Sequence, residues 1–180
     1  MPADAITAST LYQASGLTRD DFKQLVRRGL MVNSGQSGPS ENSSKIYCPM
    51  SIYEVAILAE LHRSGLPWPK ASEVFKSFTW EISASESGEK LPEITQGSAN
   101  YKKAILEYRD INDPVYLVYH FNGQYQIAAC EVAYGEDGYH TLANVIERLE
   151  KNDGINSVGV LNLTALLAKT DEVIAALGSE

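Results

Sequence analysis

Three basic side chains, Arg19, Lys23 and Arg27, recur at every fourth position, and Arg28 follows directly. On a helix of about 3.6 residues per turn, that spacing brings Arg19, Lys23 and Arg27 toward one face. Phe22, Leu25 and Val26 recur at i, i+3 and i+4 in the same segment and form an apolar stripe, which packing turns inward and so leaves the basic side chains outside. A guanidinium can fork onto O6 and N7 of guanine, while a lysine ammonium or a threonine hydroxyl mostly holds phosphate. The chemistry suggested is contact with double-stranded nucleic acid. The candidates are Thr18, Arg19, Lys23, Arg27 and Arg28, with Lys45 and Tyr47 added from a later extended segment. The plain alternative is a solvated helix face whose last-turn arginines complement the helix dipole.

Other chemistries find less support. Cys48 and Cys130 do not form a C-x-x-C pair, and His62, His120 and His140 are scattered, so no zinc site and no disulfide framework is expected. Each cysteine reads as a small apolar residue. The tyrosines at 116, 119, 125, 134 and 139 could line an effector pocket, although ordinary strand positions account for them as well. No phosphate-binding glycine loop, Ser-His-Asp context or H-E-x-x-H motif occurs, so no catalytic residue and no cofactor is expected. No run approaches the roughly 20 apolar residues of a membrane helix, and residues 1–5 lack the basic and apolar pattern of a secretory signal. The expected setting is a reducing cytoplasm, at the nucleoid.

Net charge is −8, which by itself argues against a polyanionic partner. The charge is uneven, however. Residues 1–78 carry eight basic and seven acidic side chains, whereas residues 79–180 carry seven against sixteen. Only the first part can face phosphate.

The elements that must position these residues follow from pattern and punctuation. Residues 7–16 predict a short helix capped by Thr7 or Ser9 and ended by Gly16. Thr18 predicts the cap of a second helix, with Asp20 and Asp21 in its first turn and Gly29 closing it. Residues 33–44 are polar and turn-forming, a loop tip between two extended segments, 30–32 and 45–47, that are expected to pair as a ribbon. Helices are expected over 51–64 and about 69–78, then a Ser-, Glu- and Gly-rich linker over 79–98. Beyond it come a helix near 99–109, a hairpin of strands 115–121 and 124–132 turned by Asn122-Gly123, a helix over 139–151, a strand over 157–163, and a last helix capped by Thr164. The fold class is α+β.

Two short helices joined by a glycine-containing turn, then a ribbon and a longer helix, form the order of a helix-turn-helix with a wing. Here the chain resembles the MerR-like winged helix-turn-helix regulators. Residues 16–30, with a Gly-x-Thr turn before the helix and Gly29-Leu30 after it, are similar to that family's recognition helix. Lys45-Ile46-Tyr47 is similar to its wing motif Arg-x-Tyr. Residues 47–67, with Val55, Leu58 and Leu61, resemble its next helix, and Trp68, Ala71, Val74 and Phe75 the short helix after that. The departures are definite. Asp20 stands where the family has a base, Lys23 where it has Arg, and Gln24-Leu25-Val26 where it has two aromatics and an acid. The wing is longer, with Lys45 its one base, and a polar linker replaces the family's long dimerisation helix.

The resemblance implies a winged DNA-binding domain over 6–78, with the second helix in a major groove. Residues 99–180 then form a small α+β domain for oligomerisation, sensing or partner binding. The expected protein is a bacterial or phage transcription regulator that binds double-stranded DNA in sequence-specific fashion. It acts as a dimer or higher homo-oligomer, since a single weakly basic domain makes few phosphate contacts. A protein partner or a small-molecule effector could engage residues 99–180. Two other classes compete: a winged-helix adaptor that binds protein and not DNA, and a ligand-binding module tethered to a DNA-binding domain.

Overall fold

The computed structural model describes residues 6–31, 45–47, 50–87, 114–122, 127–133, 141–151 and 154–177. The expected loop tip at 33–44, the helix near 99–109 and the Asn122-Gly123 turn fall wholly or partly outside these residues. The chain is α+β, with helices beside a three-stranded antiparallel sheet. Two compact units are present. One comprises Met1–Ser72 with Leu166–Glu180, and the other Glu73–Ala165.

The first unit begins with a two-residue strand, β1 (Ile6–Thr7), and helix α1 (Ala8–Ser15). Thr7 caps α1 by accepting from the Thr10 amide, and Gly16 ends it in the left-handed conformation at φ 67°. Helix α2 (Arg19–Arg27) follows. Its last carbonyls are closed by Gly29 N–H to Val26 and Leu30 N–H to Leu25, a turn that needs the φ of 61° at Gly29. Strand β2 (Ile46–Tyr47) pairs antiparallel with β1, Ile6 opposite Tyr47 and Thr7 opposite Ile46. Of the ribbon expected between 30–32 and 45–47, Leu30 and Met31 lie in no strand, and Val32 is outside the described residues. Leu30 instead closes α2, and its carbonyl accepts from the buried Ser72 hydroxyl at 2.5 Å.

Helix α3 (Ser51–Arg63) is buried along almost its whole length, including every residue from 51 to 59. A helix apolar on nearly all sides must be surrounded by others, and α3 is the core element of this unit. Helix α4 (Trp68–Ser87) starts here, with His62 stacked on Trp68 at 3.9 Å between ring centres and the His62 ring bonded to the Leu66 carbonyl at 2.7 Å. It continues to Ser87, through the start of the segment expected as linker. The last helix returns to the same unit. The Tyr53 hydroxyl on α3 donates to Asp171, 118 residues on, at 2.5 Å.

The second unit holds strands β3 (Tyr116–Asn122), β4 (Ile127–Ala133) and β5 (Ile155–Asn162) in the order β4-β3-β5. Helix α5 (Leu142–Glu150), capped by Thr141, lays Val145 and Leu149 on Val118 and Ala133, with Tyr116, Leu142, Ile155 and Val158 around them. Helix α6 (Leu163–Leu177) starts one residue before the expected cap. Asn162 is the residue that caps it, accepting from the Ala165 amide at 2.9 Å. The Thr164 hydroxyl instead accepts from the Val115 amide at 2.9 Å and ties the helix start to the start of β3. On the other sheet face Tyr119 stands opposite Gly159 and packs edge-on against Phe121 at 5.8 Å. A Cβ on Gly159 would overlap the Tyr119 ring.

Two outcomes are expected. Gly159→Ala forces the buried Tyr119 ring off its seat and costs about 1–3 kcal/mol in urea unfolding of the full chain; an unchanged midpoint refutes the packing. Tyr53→Phe removes the hydroxyl bonded to Asp171 and lowers stability by about 1 kcal/mol. A Tyr53→Phe chain as stable as the parent shows that the contact contributes nothing.

Candidate nucleic-acid interface

Helix α2 is set in place at both ends and along one side. At its start the Thr18 hydroxyl accepts from the Asp21 amide at 3.1 Å and donates to the Asp21 carboxylate at 2.6 Å. Asp20 and Asp21 sit in the first turn, where carboxylates favour the helix dipole. On its inner side Leu25 and Phe22 are buried. Phe22 lies between two tyrosine rings, tilted on Tyr12 at 6.3 Å and edge-on to Tyr47 at 5.7 Å.

The expected site residues divide into two groups. Thr18, Arg19, Lys23, Arg27, Arg28 and Lys45 are all exposed. Arg19 opens α2, Arg27 ends it, and Arg28 is the C-cap. Among the described residues, no carboxylate pairs with Arg19, Arg27 or Arg28. Tyr47 differs. It is 3% exposed, and its ring packs edge-on against Phe22 as part of the core. Burial raises its phenol above the ordinary 10.0, because the phenolate loses hydration. It acts on α2 by positioning it.

At about 100° per residue, Asp20 and Arg27 stand opposite the Phe22–Leu25 edge, and Lys23 and Arg19 step round toward the half-buried Val26. The basic stripe therefore runs from the centre of the outward face, at Arg27, onto one flank, at Lys23 and Arg19. Asp20, with its side chain 87% exposed, shares that centre and reaches Lys23 at 3.6 Å. The i, i+3 spacing of Asp20 and Lys23 carries this pair in the sequence, but the pairing is absent from the expectation. Arg63 is the other residue missed. Its guanidinium donates to the Ser15 carbonyl at 3.2 Å and forks onto Glu60 at 3.0 and 2.7 Å. It fixes the end of α1 against α3, so its charge serves the scaffold.

Among the described residues no group of three His, Cys, Asp or Glu side chains could hold a metal ion, and no helix is long and apolar enough to cross a membrane. No protein-family model and no curated protein matches the chain.

A pH dependence follows from the Tyr47 burial. With the folded pKa above the unfolded one, the stability from the neutral phenol is complete below the ordinary value of 10.0 and falls as pH rises through the folded value. Tyr47→Phe should therefore reduce the loss of stability between neutral and strongly alkaline pH, measured by urea unfolding. Parallel losses in parent and variant would place the phenol in water.

Proposed function

We propose that this chain is a sequence-specific double-stranded DNA-binding protein, a bacterial or phage transcription regulator working at the nucleoid. In this reading residues 6–78 act as a MerR-like winged helix-turn-helix. Helix α2 enters a major groove and α1 crosses the backbone. Arg19 and Arg27 reach base edges, Lys23 and Arg28 hold phosphate, Lys45 touches the flanking strand, and Thr18 joins them only by releasing the hydroxyl proton it gives to Asp21. The carrying observation is the row of exposed basic side chains on α2, a helix anchored by Phe22 and Leu25 on its other side. So few bases give weak binding at physiological salt, and the reading requires two copies on two half-sites. The second unit, or its protein or small-molecule partner, then governs assembly. The chain has no catalytic role in this reading.

A second reading draws on Asp20. A carboxylate near the centre of the outward face, paired with Lys23, suits a protein-binding adaptor better than a phosphate surface. Fluorescence polarisation against a genomic fragment library at two salt concentrations separates the two. The DNA reading expects binding that weakens with salt, with a log–log slope of about 0.9 per phosphate contact. Arg19→Ala should relax sequence choice, by about 1–3 kcal/mol at one base pair, whereas Lys45→Ala should weaken all sites evenly and reduce the salt slope by about one. The absence of binding at low salt removes the DNA reading and leaves the adaptor. Unchanged affinity in the Arg19→Ala, Lys23→Ala double variant moves the docking face away from α2.

A further inference from the structure

The outer edge of β5 is the surface that the proposed function leaves unused. The strand runs eight residues, Ile155–Asn162, and among the described residues it pairs with β3 and with no other strand. An edge strand presents unpaired amides and carbonyls, and proteins that must stay single protect it with a charge, a proline or a short run. β5 has none of these. No charged residue or proline occurs between Asp153 and Lys169. The opposite edge, β4, carries Glu131 within the strand. Val160, 43% exposed, is the large apolar side chain most open to solvent among the described residues, and it lies on β5.

The strand is also close to a palindrome. About Gly159, Val158 mirrors Val160 and Asn156 mirrors Asn162, while Ser157 stands against Leu161. Two antiparallel copies related by a two-fold axis at Gly159 therefore set valine against valine and asparagine against asparagine, the self-complementarity that an isologous contact demands. Charge points to the same occupant. Each copy has a net charge of −8, so two copies repel wherever acidic surfaces meet, and an uncharged strand is a seam where they can join.

We propose that the β5 edge is a homodimer seam in which two copies pair antiparallel about Gly159 and join their three-stranded sheets into one of six strands. The proposal rests on the two-copy requirement of the DNA reading and gives it a location.

The test uses the full chain. Light scattering over a wide concentration range should show the mass doubling, with amide hydrogen exchange over 155–162 slowing as the dimer fills. Val160→Lys places a cation against Val158 of the other copy at both ends of the axis. It should raise the dissociation constant about tenfold or more, with far-UV circular dichroism unchanged. Should that variant not fold, the exchange measurement on the parent chain decides. A parent chain that stays monomeric overturns the seam, as does a Val160→Lys dimer as tight as the parent, or protection that appears away from 155–162. A dimer protected at β5 that binds no DNA supports the seam while removing the DNA reading. A monomer that binds DNA does the reverse.

Discussion

The burial of Phe22 is the contact on which the first unit depends. One ring fixes three elements at once: α1 through Tyr12, α2 by its own position, and the β1–β2 ribbon through Tyr47. Because the ring is on the inner side of α2, its burial decides which side chains of that helix reach solvent. Arg19, Lys23 and Arg27 are outside because Phe22 and Leu25 are inside. A tyrosine at 47 serves this better than an aliphatic residue, since an edge-on aromatic pair adds a directional preference to the area it buries. The same preference explains why Tyr47 is lost as a surface residue. A side chain buried this far against Phe22 is not open to a phosphate.

Local signals in the sequence are translated faithfully into structure. Thr7 and Thr18 cap helices, and Gly16 and Gly29 take the left-handed backbone after them. These features are legible because each involves atoms within a few residues of one another. The sequence is less informative where partners are remote. Ile46-Tyr47 has a plausible neighbour in the apolar segment 30–32, but it pairs with Ile6–Thr7, and no periodicity distinguishes two short segments that are both within reach. The cap of α6 moved from Thr164 to Asn162 for a related reason, since the Thr164 hydroxyl is engaged by the Val115 amide, 49 residues earlier.

The candidate site shows the same division. That α2 is basic and outward-facing follows from composition and spacing, and of the expected contact residues only Tyr47, on β2, is buried. How much of that charge remains usable does not follow from them. Arg63 counts as a base in the sequence, yet it is held by Ser15 and Glu60. Lys23 is partly offset by Asp20, though an exposed pair of this kind is worth little and yields readily to a stronger anion. Net charge over a segment therefore overstates its attraction for phosphate, and the correction comes from individual contacts.

The return of the last helix to the first unit has a bearing on synthesis. Domains generally fold in order as they leave the ribosome, but this unit includes Leu166–Glu180 as well as Met1–Ser72. Tyr53 is made long before Asp171, and the residues between them include the whole of the second unit. The nascent chain therefore carries α3 without its Tyr53–Asp171 contact until all the strands of the sheet have been translated. Closing so long a loop is slow and entropically costly. The order of maturation is thus reversed, with the second unit free to fold first and the first unit completed last.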